Sequence, residues 1–306
     1  MPSPLVGRID ALGADNRSGS SVIAGEAVKI LAKATRNGDL ETVKALALAL
    51  CAAQPSMASI WNAAALALRP DDAAAALTRY SQQLQRSPNA LARVACDLLL
   101  TGHTPADLLS VITVSASRSV GRCLSLLSNR CRLHVVCAEG RPVLEGREFS
   151  ASLAAEGIDT TLCTDAAVSS VGHQADVVLV GADAVSGGWF VNKCGTYQVV
   201  EAAAQAGIAT YVVAGQDKFI GQLLAKKLRL SGGGEAEVWA EPPAGVRVVN
   251  PYFERVQNLN LAGFITDMGI LDTHSIANVS VGPVSEEDGR RLSLLLDAAG
   301  CGESVK

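Results

Sequence analysis

Beyond residue 105, short runs rich in β-branched residues alternate with helical patterns, and this alternation restricts the fold more than any other feature. Residues 109–114, 133–137, 159–164, 177–180 and 209–214 read as buried strands. Residues 117–128, 145–156, 195–206 and 221–228 carry helical spacing between or just after them. Strand, helix, strand, repeated, means a parallel sheet joined by right-handed crossovers. Ligands of such sheets bind at the carboxyl ends of the strands, so the residues that follow each strand come first in a search for function.

The first hundred residues read as helix. Residues 20–34 place Val22, Ile23, Ala27, Val28, Ile30 and Leu31 on one stripe. After a break at Asn37-Gly38-Asp39, further helices are predicted over 42–52, 56–68, 71–84 and 87–100, the last ending at Gly102. Pro70 and Pro88 fall at or near the starts of the last two, where proline is tolerated. The chain is abundant in Ala and only 4% aromatic, which suits closely packed helices. The reading is α/β: a helical domain over 1–104, then a parallel-sheet domain over 105–306.

Composition removes several function classes. A hydrophobic content of 49% against 18% charged residues is that of a core-forming chain. A net charge of −4 argues against a general nucleic-acid binder, which needs a basic surface to release counterions. No run reaches the roughly 18 apolar residues of a membrane span. Residues 1–10 hold no hydrophobic signal core, so a cytoplasmic location is expected. The eight Cys include no C-x-x-C pair and read as buried free thiols; the four His are scattered, so no zinc site is expected. No G-x-G-x-x-G follows a first strand, and Gly232-Gly233-Gly234 reads as a flexible loop, so a dinucleotide is not expected; no cofactor is expected.

The strand ends carry the chemistry. The strand over 177–180 runs into Gly181-Ala182-Asp183, where a poorly hydrated carboxylate is either an acid/base with a raised pKa or a residue that pins the loop. Asn192 and Lys193 precede Gly195-Thr196, which opens a helix; amide, ammonium and helix N-terminus together suit an anion. The first strand ends in Ser115-Ala116-Ser117-Arg118-Ser119, either a phosphate cradle or a simple N-cap. Other strand ends supply Glu139-Gly140-Arg141-Pro142, Thr164-Asp165 and Gly215-Gln216-Asp217-Lys218.

The segment Gly181 to Thr196, GADAVSGGWFVNKCGT, resembles the GAD…NK-x-GT signature of one superfamily. Its members are methylthioribose-1-phosphate isomerase, ribose-1,5-bisphosphate isomerase and the alpha, beta and delta subunits of translation initiation factor 2B. The resemblance extends to Glu139-Gly140-Arg141-Pro142, to Thr164-Asp165-Ala166-Ala167, to the strand ending in Lys218-Phe219, to Asn250-Pro251-Tyr252-Phe253-Glu254 and to the segment from Phe264 to Leu271. Residues 16–27, with Gly19 and Ser20, look like the family's Gly-rich helical start.

That resemblance implies a helical domain followed by a Rossmann-like one, with a sugar phosphate between them. The implied reaction converts an aldose 1-phosphate to a ketose 1-phosphate by opening the ring and moving hydrogen from C2 to C1. It implies Asp183 and a Cys as catalytic residues, but the Cys position is Ser115 here, and a hydroxyl does not ionise usefully without a partner base. Two family arginines are also replaced, one by Ser18 beside Arg17, the other by Gln54 before Pro55. Ser117, Arg118, Asn192, Lys193 and Lys218 remain to bind substrate. Asp183 favours an isomerase. Ser115 favours a non-catalytic relative similar to the initiation factor's alpha subunit, which binds a ligand or translation initiation factor partners. A homodimer is implied, and the apolar run over 250–271 suits its interface.

Overall fold

The computed structural model describes residues 4–15, 18–278 and 282–300. Five helices come first: α1 (Pro4–Ala14), α2 (Ser20–Asn37), α3 (Leu40–Ala53), α4 (Ala58–Ala67) and α5 (Ala73–Leu99). The α2 stripe is buried as its spacing requires, through Ile23, Ala27, Val28, Ile30 and Leu31. Helix α4 is buried on every side, which its run of Ala with Ile60, Trp61 and Leu66 permits.

The next elements are β1 (Leu108–Val114), α6 (Arg118–Ser128), β2 (Arg132–Ala138), α7 (Glu145–Ala155), β3 (Asp159–Cys163), α8 (Val168–Val171) and β4 (Val177–Gly181). Then follow β5 (Ala184–Ser186), β6 (Trp189–Lys193), α9 (Thr196–Ala206), β7 (Ala209–Val213) and α10 (Gln222–Ala225). The chain continues through β8 (Phe253–Gln257), β9 (Gly263–Thr266), β10 (Gly269–Leu271), α11 (Thr273–Asn278) and α12 (Glu286–Ala298).

The main sheet has seven strands in the order β10-β9-β7-β4-β1-β2-β3, parallel except for β10. From β1 the chain winds outward to β2 and β3, then returns to place β4 on the other side of β1. The switch point of the sheet therefore lies between β1 and β4, where a parallel sheet leaves a crevice at its carboxyl edge. A small antiparallel sheet, β5-β6-β8, stands beyond β4.

Two sequence expectations are corrected. The helices predicted over 71–84 and 87–100 are one helix, α5, which runs through Pro88. Pro inside a helix costs about 3 kcal/mol, and burial at both ends offsets it. Ala76, Leu77 and Tyr80 pack in the core of the N-terminal helices, and Leu91, Ala92, Ala95 and Cys96 pack beneath the sheet. The glycine run is not a free loop either. Gly232 bridges Pro251, and Gly233 N donates to Asn250 O at 2.9 Å.

The apolar segment over 250–271 supplies strands. Val256, Phe264 and Ile265 are core, whereas Leu259, Met268 and Ile270 are exposed. Cys51, Cys96, Cys123, Cys131 and Cys137 are buried free thiols, Cys163 and Cys194 are half-buried, and Cys301 lies outside the described residues. Among the described residues no helix is long and apolar enough to cross a membrane.

Candidate functional site

A cavity of about 160 Å³ opens at the carboxyl ends of β1, β4 and β7, under the N-terminus of α2 and the turn before α4. Gly19, Ser20, Ser115, Ser117, Arg118, Asp183, Asn192, Lys193 and Lys218 all line it, whereas Glu139, Arg141, Thr164, Asp165 and Asp217 from the other strand ends do not. Ser18 and Gln54 line it too; Gln54 Nε2 is committed to Leu12 O at 2.6 Å. Arg17 lies outside the described residues.

Ser115 leaves β1 with φ 63°, a left-handed turn that is uncommon for a residue with a side chain. Ser117 then caps α6 by accepting from Val120 N at 3.3 Å. The end of β4 passes so close that a Cβ on Gly181 would stand 2.6 Å from Ser117 Oγ, so only glycine lets β4 and the start of α6 share the cavity wall. Arg118, at the first position of α6, is exposed at the cavity and has no ion-pair partner among the described residues.

The other two cations are buried and paired. Lys218 Nζ donates to Ser20 Oγ at 2.7 Å and stands 3.2 Å from Asp217 Oδ2. Lys193 Nζ lies 2.9 Å from Glu145 Oε1 and 5.0 Å from the centre of the Tyr252 ring. Asn192 Nδ2 donates to Thr196 Oγ1 at 2.9 Å, and Thr196 Oγ1 donates to Lys193 O, which fixes the turn from β6 into α9.

Asp183 follows β4 and keeps partial exposure to the cavity, while its backbone carbonyl accepts from Ala58 N at the head of α4. Burial pushes its carboxyl above the usual 3.8, and Asp217 adds to the rise; Lys218, the Ser20 hydroxyl and Lys193 oppose it without cancelling it. A carboxyl shifted in that direction is better suited to give a proton than an ordinary aspartate.

Sequence reading overlooked Glu145. Ser115 Oγ donates to Glu145 Oε1 at 2.7 Å, the same oxygen that pairs with Lys193. Gly146 makes the approach possible: a Cβ there would lie 2.0 Å from Ala138 O, so the first turn of α7 can abut the end of β2 only without a side chain. An acid directly before that glycine was the available signal. Tyr252, Ser231 and Gly232 also line the cavity and had no such signal. Among the described residues no three His, Cys, Asp or Glu side chains are grouped to hold a metal.

The model of the initiation factor 2 subunit family matches residues 16–273. The chain belongs to that family. Among its relatives, a Pyrococcus furiosus protein named for likeness to translation initiation factor eIF-2B subunit 2 is 29% identical over 222 residues, covering 71% of this chain and 76% of that protein. A ribose 1,5-bisphosphate isomerase of Methanocaldococcus jannaschii is 31% identical over 145 residues, 45% of this chain and 46% of that enzyme. The solved translation initiation factor eIF-2B of Pyrococcus horikoshii OT3 shares the fold, with a TM-score of 0.77 at 24% identity over 89% of this chain and 98% of that one. The family thus contains both sugar-phosphate isomerases and initiation factor subunits.

Proposed function

We propose that the protein is a cytoplasmic isomerase that converts an aldose 1-phosphate to a ketose 1-phosphate, with Asp183 as its acid/base. The observation that carries this reading is the placement of Asp183 across the β1–β4 switch point from Ser115, in a cavity also lined by Lys193, Lys218 and Arg118; burial, which pushes the Asp183 carboxyl upward, agrees with it. The phosphate on C1 prevents spontaneous opening of the sugar ring. The ring oxygen must gain a proton, O2 must lose one, and the hydrogen on C2 must reach C1. A carboxyl whose pKa is pushed upward by burial suits the first of these. Gly19, Ser20, Ser117, Arg118, Asn192, Lys193 and Lys218 are proposed to hold the phosphate and the sugar hydroxyls, with no cofactor. Exposed Leu259, Met268 and Ile270 support the further proposal of a homodimer.

A second reading is a non-catalytic subunit like the alpha subunit of initiation factor 2B, working with translation initiation factor partners. Ser115 in place of Cys favours it. A thermal-shift screen with pentose and hexose 1-phosphates and nucleotides, followed by turnover assays on each stabilising ligand, tests both. Turnover supports the isomerase. Stabilisation by a sugar phosphate or nucleotide without any turnover supports the subunit.

A further inference from the structure

Resting on the isomerase reading, we propose that Glu145 is the terminal proton acceptor of the site and acts through Ser115. A carboxylate can only accept, so the 2.7 Å contact fixes the Ser115 proton on the line to Glu145 Oε1. The lone pairs of Ser115 Oγ are then left for a donor in the cavity that Ser115 lines. A lone serine is too weak a base to take a sugar proton. A serine whose own proton already lies against a carboxylate can take one as it releases the other.

The surroundings suit this role. The left-handed backbone at Ser115 and the abutment of α7 on β2 set the two side chains independently of any ligand. Lys193 Nζ, 2.9 Å from the same carboxylate oxygen, orients Glu145 and is itself held against the Tyr252 ring. Asp183 stands after the neighbouring strand β4, so acid and acceptor approach a sugar from separate strand ends.

The step balances as follows. The bond from C1 to the ring oxygen breaks, and the oxygen keeps the electron pair and takes the Asp183 proton. The hydrogen on C2 moves to C1 with its electron pair. The O2–H bond breaks as C2 becomes a carbonyl; that proton goes to Ser115 Oγ, and the serine's original proton goes to Glu145 Oε1. Proton exchange with water afterwards returns Asp183 and Glu145 to their starting states. In this scheme Ser115 touches the substrate, and Glu145 is a positioning residue that also stores the proton.

The test is steady-state turnover of ribose 1,5-bisphosphate and 5-methylthioribose 1-phosphate by the full chain and by Glu145→Gln, Ser115→Ala, their double variant and Asp183→Asn. Glu145→Gln and Ser115→Ala should each lower kcat about 10²–10⁴-fold, with KM within about threefold of wild type. The double variant should be no slower than the slower single one. The solvent-deuterium proton inventory should bow less in Glu145→Gln than in wild type, because the transfer from Ser115 to Glu145 is lost while the Asp183 proton still moves. Ser115→Ala leaves the Glu145–Lys193 pair in place and serves if Glu145→Gln does not fold. Glu145→Gln that keeps wild-type kcat while Asp183→Asn loses it overturns the relay and leaves the isomerase standing. Additive single effects also overturn the relay. A wild type inert on both substrates and on every pentose and hexose 1-phosphate of the screen overturns the isomerase reading and the relay with it.

Discussion

Lys218 Nζ and Ser20 Oγ meet at 2.7 Å, joining the turn after β7 to the first residue of α2. The contact closes the cavity between the N-terminal helices and the sheet. It also places a hydroxyl and an ammonium beside Asp183, whose carboxyl they hold below the value that burial alone would give. The protonation of Asp183 is therefore influenced by residues 198 positions apart in the chain.

Asp183→Asn should abolish turnover, by about 10²–10⁴-fold, while ligand affinity by calorimetry stays near wild type, because the amide keeps shape and hydrogen bonding. The same variant has a stability signature. A carboxyl raised on folding contributes stability that is full below its ordinary value of 3.8 and is lost as pH rises through its folded value. Melting temperatures should show Asp183→Asn more stable than wild type at pH 7, with the gap closing below about pH 4. A constant gap across that range would contradict the raised carboxyl.

Lys193→Ala should weaken binding of any sugar phosphate, because it removes a cation that faces the ligand. It should also destabilise the protein by about 3–5 kcal/mol in urea unfolding, the cost of leaving one partner of a buried pair uncompensated. Lys193 and Glu145 side chains are 7% and 13% exposed, so solvent replaces little of what is lost. Lys193→Met combined with Glu145→Gln should recover most of the stability and none of the binding. Equal stability of the single and double variants would mean that the pair is solvated.

Ser115→Cys is expected to raise turnover or leave it unchanged, since a thiol titrates near pH 8.5 and the hydroxyl does not. The readout is kcat on aldose 1-phosphates across pH 6–9. Loss of turnover would show that the hydroxyl geometry toward Glu145, rather than acidity, is what the site needs.

Outside the cavity lining, Asp288 ties α12 to the turn after α4 through Arg69 Nη2 at 2.7 Å and also accepts from Arg291 Nη1 at 2.8 Å. Burial works to raise its carboxyl, but hydrogen bonds from Arg69 and Ser285 win and hold it below the usual 3.8. Its contribution is therefore present above about pH 4 and lost as pH falls through the folded value. Asp288→Asn should cost about 3 kcal/mol at pH 7 by denaturant unfolding, the low end for a buried pair because Arg69 is partly exposed. The difference from wild type should shrink in acid.

Much of the molecule was legible in the chain. Strand and helix periods are local, so five strands and the helices that follow them could be read from spacing, and strand ends pointed to Asp183, Ser115, Lys193 and Lys218. Pro88 misled because the proline rule describes an exposed helix; the burial that carries α5 through it comes from two separate cores. Glycines at 232–234 misled for the same reason, since their backbone partners are at Asn250 and Pro251.

Sequence alone determined the alternation of strands and helices, the acid at the end of β4 and the hydroxyl where the resemblance implied a thiol, because each depends on residues adjacent in the chain. Tertiary structure decided the rest. It put Glu145 against Ser115, 30 positions away, and Ser20 against Lys218, 198 away. It also placed β4 beside β1, so that Asp183 and Ser115 flank one crevice. The order of strands and the fit of glycines at 146 and 181 fix these contacts, and close packing between distant segments leaves no periodic trace in a sequence.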